Sequence, residues 1–172
     1  MRRLPTLVLL LIGAFAISPA AEANKWWFGG GLGLGFGDRD YVELNGIVGY
    51  RATPRFTPGL RLTYRSREET RGGSNIDTND YGASLFARYR VWKPVYAQAE
   101  YEYLSYEFVL PDRTRERETF GSVLGGFGAS FPLSERLGVF ATALYNFSYD
   151  SDDIRNPYSG PWIIRAGVGY SF

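Results

Sequence analysis

Eight charged residues occupy alternate positions within otherwise apolar segments. They are the side chains best placed for chemistry. They are Glu43, Arg61, Arg65, Arg88, Arg90, Glu100, Glu102 and Arg165. Because successive side chains of a β-strand point to opposite faces, this spacing puts all eight on one face of a sheet. Charges gathered on a shielded face could form a structural network of ion pairs, line a narrow path for ions, or act in carboxylate catalysis.

The structural network is the interpretation that we favour. The chain contains no histidine and no cysteine, which excludes a serine–histidine–aspartate relay, thiolate chemistry and disulfide bonds. A carboxylate mechanism using Glu100 and Glu102 is conceivable, but their arginine neighbours would hold both carboxylates ionised. We therefore expect no enzymatic activity and no cofactor. A narrow pore and a histidine-free enzyme that modifies lipid are the alternatives.

Two polar segments are candidate binding loops. The first includes three arginines, Arg113, Arg115 and Arg117. Guanidinium groups suit phosphate groups, although a solvated loop has the same composition. The second includes three aspartates, Asp150, Asp152 and Asp153. Their carboxylates could hold a divalent cation, but a solvated acidic loop is the favoured interpretation, and we predict no metal site.

The segments that carry the charges alternate between polar and apolar residues, as β-strands do when one face meets a hydrophobic medium. Eight such strands are predicted, at residues 25–37, 41–51, 58–67, 80–92, 95–105, 119–131, 136–149 and 161–172. Every position that we assign to the face opposite the charges is uncharged, although 22% of the chain is charged. The pattern predicts an all-β fold, a closed eight-stranded antiparallel up-and-down barrel.

Alternation alone does not say which face of the barrel points inward. A soluble barrel of the lipocalin kind has its apolar face inside, whereas a transmembrane barrel has it outside. Glycines on the charged face, such as Gly31 and Gly167, suit a cramped interior. Aromatic residues near the strand ends, such as Trp26 and Trp162, suit the two membrane interfaces. Strands of about 10 residues also match the length needed to cross a bilayer, so we predict a transmembrane β-barrel.

Apart from a short first outer connection near residues 37–40, the connections between the strands are alternately short and long, which indicates the orientation and the register. Short turns, typical of the periplasmic side, are predicted at residues 52–56, 93–94 and 132–135. Long polar loops, typical of the cell surface, are predicted at residues 68–79, 106–118 and 150–160. Turns centred near Pro54 and Pro94 predict three inward pairs, Glu43–Arg65, Arg88–Glu100 and Arg90–Gln98.

The N-terminal segment has the features of a secretory signal peptide. Two arginines precede an apolar stretch at residues 4–17, and Ala21-Glu22-Ala23 matches the small-x-small cleavage pattern. We expect residues 1–23 to be removed and residues 24–172 to form the barrel. Removal leaves basic and acidic residues in equal number, a balance that gives no support for nucleic-acid binding.

The C-terminal segment resembles the end of outer-membrane β-barrel proteins. It reads Val168-Gly169-Tyr170-Ser171-Phe172, with a terminal phenylalanine and an aromatic residue two positions before it. The glycine-alternating segment at residues 29–37 and the layout of the chain are similar to small eight-stranded barrels of this family, such as those of outer-membrane protein A, outer-membrane protein X and the neisserial surface barrels. The resemblance implies that Tyr170 and Phe172 are recognised by the barrel-assembly machinery.

The resemblance also implies a location, the outer membrane of a Gram-negative bacterium, but it is shared by barrels of many roles. We expect a non-enzymatic surface protein that acts through its extracellular loops. Its expected partners are outer-membrane lipid and lipopolysaccharide, whose phosphates Arg113, Arg115 and Arg117 could contact, and nucleic acid is not among them.

Overall fold

The structure is a computed structural model that describes residues 25–35, 41–71, 74–109, 115–152, 157–158 and 160–171. Its strands are β1 Trp26–Gly35, β2 Tyr41–Tyr50, β3 Phe56–Arg71, β4 Ser74–Trp92, β5 Val95–Val109, β6 Arg115–Pro132, β7 Leu137–Asn146 and β8 Trp162–Ser171. Each strand pairs antiparallel with the next, and β8 pairs with β1. The predicted closed eight-stranded up-and-down barrel is confirmed. No helix among these residues is long and apolar enough to span a membrane.

The two faces of the barrel wall differ in the direction that a membrane requires. Burial alternates along β2, where Glu43 is buried and its apolar neighbours are exposed. Outward-facing apolar side chains are largely exposed, with Leu62 at 58%, Leu85 at 67% and Phe127 at 65%. Arg61, between exposed neighbours, is 0% exposed. A barrel of the lipocalin kind would show the reverse, so the polar face lines the lumen.

Outward-facing aromatic side chains pair at both ends of the barrel wall. Ring centroids lie 4.9 Å apart in Trp26–Tyr50, 5.5 Å apart in Tyr64–Tyr81 and 5.2 Å apart in Tyr145–Trp162. The first pair lies at one end of the strands and the other two at the opposite end. Two such levels of amphipathic rings are the girdles that transmembrane barrels place at the two membrane interfaces.

Short turns join β2 to β3, β4 to β5 and β6 to β7 at one end of the barrel, which we call the turn end; the opposite end is the hairpin end. Hydroxyl groups close two of these turns. Thr53 Oγ1 accepts hydrogen bonds from the backbone N–H groups of Arg55 (3.2 Å) and Phe56 (2.9 Å). Ser134 Oγ likewise accepts one from the N–H of Leu137 (3.1 Å). Such local bonds stabilise a turn without a long connection.

The strands β3 to β6 extend farther at the hairpin end than the sequence predicts. The predicted long loops at residues 68–79 and 106–118 are wrong for most of these residues. Pairing continues to Arg71–Ser74 in the β3–β4 hairpin and to Val109–Arg115 in the β5–β6 hairpin. A hairpin with water on both faces needs no apolar face, so the backbone ladder continues where the alternation of side chains stops.

Glycines make room for aromatic rings inside the turn half of the barrel. A β-carbon added to one of these glycines would collide with a ring from a neighbouring strand: Gly49 with Trp27, Gly59 with Phe86, Gly128 with Tyr96 and Gly167 with Phe140. The rings of Trp27, Phe86 and Phe140 pack with Ile47 into one buried apolar cluster. We call these three rings the aromatic layer. The interior of an eight-stranded barrel is barely wide enough for its side chains, and the glycines allow large rings to fit there.

Candidate functional site

Arg165 on β8 joins three glutamates across the lumen. Its Nε donates to Glu43 Oε1 (2.8 Å), its Nη1 to Glu100 Oε1 (3.0 Å) and its Nη2 to Glu102 Oε2 (2.6 Å). Glu43 lies on β2 and the other two glutamates lie on β5, so one guanidinium connects separate parts of the barrel wall. Only arginine offers five donors in a planar fork, which suits this arrangement.

Two further arginines balance the charge. Arg65 Nη2 lies 3.1 Å from Glu43 Oε2, and Arg61 Nε lies 3.2 Å from Glu100 Oε1. Asn45 lies between them, because Arg61 Nη1 donates to its Oδ1 (3.3 Å) and its Nδ2 donates to Glu43 Oε1 (3.4 Å). We call the six charged residues the lumen cluster: Glu43, Arg61, Arg65, Glu100, Glu102 and Arg165. It contains three arginines and three glutamates, all buried, so its formal charge is zero.

Arg88 is also buried, but it lies apart from the lumen cluster. Its Nε donates to Gln98 Oε1 (2.7 Å), and Gln98 Nε2 donates in turn to Glu100 Oε2 (2.7 Å). Four aromatic rings surround its guanidinium, with centroids at 5.0 Å for Trp27, 5.1 Å for Phe86, 4.7 Å for Tyr96 and 4.8 Å for Phe140. Ring faces attract a cation, so this arginine is stabilised mainly by aromatic rings and an amide.

The predicted register is correct for one hairpin and wrong for the other. Glu43 lies opposite Arg65, as predicted. The predicted Arg88–Glu100 pair is wrong, because Arg88 lies opposite Gln98. An irregularity in the β4–β5 ladder between Arg90 and Trp92 shifts the register at the turn. The shift still keeps inner residues opposite inner residues, as a half-buried sheet requires.

Arg90 was expected in the lumen network and lies outside it. Its side chain is exposed at the turn end, and its partner across the ladder is Tyr96, not Gln98. Position 90 follows the alternation that makes Phe86 and Arg88 face the lumen. It lies beyond the aromatic layer of Trp27 and Phe86, where the lumen opens, so parity alone could not show that it is solvated.

Three residues that line the hairpin half of the lumen were not predicted from the sequence. Asp80 is 0% exposed and lies opposite Arg65 across the β3–β4 ladder. Tyr41 and Tyr158 lie against the same arginine, with ring centroids 4.1 Å and 4.8 Å from its guanidinium carbon. Asp80 keeps the inward parity of β4, which could have identified it. Tyr158 belongs to a connection and has no such signal.

Apolar side chains fill the hairpin half of the lumen on the side of β6, β7 and β8. Leu124, Leu144 and Ile163 are each at most 1% exposed, and Tyr158 packs with them. Tyr149 lies against the same cluster. Together with the lumen cluster and the aromatic layer, these residues occupy the interior along most of its length.

The candidate lipopolysaccharide-binding arginines lie on the β5–β6 hairpin or beyond the described residues. Arg113 is outside them. Arg115 Nη1 and Arg117 Nη2 each lie 3.6 Å from a carboxylate oxygen of Glu107. Arg117 Nη2 also donates to the carbonyl oxygen of Asn79 (3.1 Å). Its guanidinium carbon lies 5.3 Å from the ring centroid of Tyr81, so the side chain lies on the outer surface of the barrel.

The remaining candidates are only partly described. Asp150 Oδ1 accepts a hydrogen bond from the backbone N–H of Asp152 (2.9 Å), an Asx turn, and Asp153 lies outside the described residues. Within the described ranges, no group of three or more metal-ligating side chains could hold an ion. Tyr170 faces outward between Phe28 on β1 and Leu137 on β7. Phe172 lies outside the described residues, so the assembly signal stays a prediction.

Comparison with known proteins agrees with this geometry. The sequence profile of a family described as "outer membrane protein beta-barrel domain" matches residues 7–172. The chain is 25% identical over 164 residues to outer membrane protein X of Escherichia coli strain K12, and the match covers 93% of this chain and 83% of that protein. Outer membrane protein X of Shigella flexneri gives the same values.

A solved structure shows the same fold at lower sequence identity. The crystal structure of the N-terminal β-barrel domain of Pseudomonas aeruginosa OprF superposes with a TM-score of 0.61 at 18% identity. The superposition covers 87% of this chain and 98% of that one.

Proposed function

Because this chain belongs to the outer membrane protein beta-barrel domain family and lies in the outer membrane, we propose that it is a non-enzymatic surface protein whose hairpin end binds lipopolysaccharide. The hairpin end is then extracellular and the turn end periplasmic, because barrels of this kind have short periplasmic turns. The other partners in this proposal are the surrounding outer-membrane lipid and, during biogenesis, the barrel-assembly machinery.

The observation that carries the proposal is the position of Arg117 over Tyr81. Tyr81 belongs to the aromatic girdle of the hairpin end, and such girdles lie at the level of the polar headgroups. Arg117 contacts this ring from the outside at 5.3 Å. Arg115 lies farther out on the same face of β6, and the two side chains are 56% and 40% exposed. Both guanidinium groups therefore lie near the height of lipopolysaccharide phosphates, to which arginine binds in bidentate fashion.

Glu107 partly neutralises these arginines without excluding a phosphate ligand. Both ion pairs are 3.6 Å long and solvent-exposed on the arginine side. Exposed pairs of this kind contribute only roughly 0–1 kcal/mol. A phosphate carries more charge than the carboxylate and can displace it, so Glu107 sets the affinity of the site but does not block it.

The filled lumen supports a role outside the barrel over conduction through it. The lumen cluster, the aromatic layer and the apolar cluster around Leu144 together occupy most of the interior. Eight strands leave an interior just wide enough for side chains. This geometry disfavours the alternative of a small pore.

Two variants with opposite expected effects on affinity test lipopolysaccharide binding. We expect the double variant Arg115→Gln/Arg117→Gln to bind fluorescently labelled lipopolysaccharide about tenfold more weakly in neutral detergent, which corresponds to one lost charge-assisted contact. The matched variant Glu107→Gln removes the competing carboxylate and should bind more tightly. Fluorescence anisotropy measures both affinities. Unchanged affinity in both variants would contradict the proposal.

A further inference from the structure

A cavity of about 420 Å³ opens at the turn end, at the opposite end of the barrel from Arg115 and Arg117. Its lining contains six cationic side chains, Arg51, Arg55, Arg88, Arg90, Lys93 and Arg136. Glu135 is the one carboxylate in the described lining. The whole chain is almost neutral, with 19 basic and 18 acidic residues, so composition does not explain this concentration of positive charge.

The strand geometry brings these cations together. The alternation of inward-facing positions in β2, β4 and β7 extends beyond the aromatic layer to the mouth of the lumen. There it reaches Arg51, Arg90 and Arg136, respectively. The backbone N–H of Arg90 donates to the carbonyl oxygen of Arg55 (2.8 Å), which holds these two residues side by side. Burial and, after it, the charge of Arg90 lower the pKa of Arg51, as expected where like charges are crowded.

Four of the six cations that line the cavity lack an ion pair in the part of the chain that the structure describes. Arg55, Arg90, Lys93 and Arg136 form no ion pair with a described carboxylate. Arg136 donates to the hydroxyl of Tyr170 and is attracted by the neighbouring carboxylate of Glu135, without forming an ion pair with it. Surplus cations that face each other around a cavity repel one another, and an anion between them would remove that repulsion.

Arg88 supplies a second, independent indication of a ligand. It lines the floor of the cavity and is only 8% exposed. Its Nη2 is buried and has no hydrogen-bond acceptor among the described residues. A buried guanidinium N–H without an acceptor is costly, and the lumen cluster reaches Arg88 only indirectly, through the hydrogen bonds of Gln98 to Arg88 and to Glu100.

We propose that this cavity binds a phosphate-bearing anion, presented either by a phospholipid headgroup of the inner leaflet or by a small soluble phosphate compound of the periplasm. Arginine forks match phosphate oxygens in geometry and charge. The volume lies within the range of about 300–1,000 Å³ that is usual for small-ligand sites. The outward girdle pair Trp26–Tyr50 lies at the same end of the barrel, so the cavity opens at the level of the headgroups.

The experiment titrates inorganic pyrophosphate into the full-length protein folded in dodecyl maltoside, a detergent without charge or phosphate. Isothermal titration calorimetry should show saturable binding of one pyrophosphate. The double variant Arg55→Gln/Arg90→Gln should weaken binding by about tenfold, the loss of one charge-assisted contact. Both side chains are exposed, so the variant should fold, and the shift in gel mobility between heated and unheated protein checks this.

The double variant Arg67→Gln/Arg71→Gln is the matched control, because it removes the same charge from β3 at the opposite end of the barrel and leaves the proposed lipopolysaccharide site intact. It should bind pyrophosphate as the unmodified protein does. An absence of saturable binding, or an equal loss in both double variants, would overturn the proposal. The second outcome would show that pyrophosphate responds only to the overall charge of the protein.

Lipid composition distinguishes the two sources of phosphate. The titration is repeated in phosphatidylcholine nanodiscs with and without phosphatidylglycerol. If an anionic headgroup occupies the cavity, phosphatidylglycerol should weaken pyrophosphate binding, and native mass spectrometry should detect retained lipid that the Arg55→Gln/Arg90→Gln variant loses. Equal pyrophosphate affinity in both nanodiscs supports a soluble phosphate compound.

Discussion

Arg165 has three carboxylates within 3.0 Å of its guanidinium nitrogens, in an interior where its side chain and theirs are shielded from solvent. Removing each ion from water costs several kcal/mol, and attraction offsets this cost only when the geometry is good and the set of partners is complete. The lumen cluster therefore stabilises the barrel as a unit. Loss of one member leaves a buried charge without compensation.

Glu100→Ala tests this interdependence. Glu100 pairs with Arg61 and Arg165 and accepts a hydrogen bond from Gln98. We expect its removal to lower the free energy of unfolding by about 3–5 kcal/mol, because one arginine charge in the interior becomes unbalanced. Urea titration of the protein folded in phosphatidylcholine vesicles measures the change.

Glu116→Ala is the control for this prediction, since it removes an exposed glutamate from β6. Its effect should stay within roughly 0.5 kcal/mol, as is usual for surface substitutions. Equal stabilities of the two variants would show that the lumen cluster does not act as a unit.

The sequence predicts the members of the charged site better than their contacts. Parity selects Glu43 and Arg165 because a charge flanked by apolar residues must turn away from the membrane. Their contact runs across the lumen between strands far apart in sequence, and no pairwise register rule describes such a contact. Arg88 shows the same limit, because the β4–β5 register differs by two residues from the predicted one and gives it Gln98 as its partner in place of Glu100.

At the scale of the elements, glycines and aromatic rings determine how closely the strands approach the lumen axis. Gly31 on β1 faces Gly167 on β8, and the ring of Phe140 from β7 covers the latter. A β-carbon on Gly167 would meet the carbonyl oxygen of Gly30 and lie 2.7 Å from the ring of Phe140. Neither the backbone nor the packed ring can move aside easily.

Gly167→Ala should therefore destabilise the barrel, although alanine suits a strand better than glycine. We expect a loss of about 1–3 kcal/mol, typical of overpacking in a filled interior. Gly46→Ala is the control, because a β-carbon there has no neighbour within 4 Å and points outward. Urea titration of both variants in vesicles measures the difference, and a Gly167→Ala variant as stable as Gly46→Ala would refute the packing argument.

The elements could be predicted from the sequence where a membrane face constrains them. The starts of β2 and β5 coincide with the prediction because the apolar alternation begins there. Beyond the girdle of Tyr64 and Tyr81 the constraint ends, and the β3–β4 hairpin continues to Ser74 without an alternating pattern. Backbone hydrogen bonds extend those strands, and the extension could not be predicted because the side-chain sequence there does not alternate.

At the scale of the whole molecule, the barrel has a lumen that is filled by side chains over most of its length. The outward face is apolar between two aromatic girdles, which suits a bilayer, and the inward face is filled by buried side chains. Open cavity volume is found at the turn end, among the cations around Arg55 and Arg90. The two ends thus differ in chemistry, and binding is expected at the mouths of the barrel.

The filled interior predicts that the protein does not conduct ions. Recordings in planar phosphatidylcholine bilayers with concentrated potassium chloride should show no stepwise conductance after insertion, because the buried lumen cluster and Leu144 occupy an interior that eight strands leave barely wide enough for side chains. A general porin inserted under the same conditions is the positive control. Uniform conductance steps that depend on the protein would instead support the pore.

The place of Arg165 in the chain has a consequence for the time course of folding. It belongs to the last strand, and its partners lie 122, 65 and 63 residues earlier in the sequence. Contacts between such distant residues form only after the entropy of closing long loops has been overcome. Until β8 docks, the glutamates on β2 and β5 lack their shared counterion, so a partly closed sheet is penalised in the bilayer. Closure of the ring is accordingly a late and cooperative event, driven by the same guanidinium that completes the charge balance.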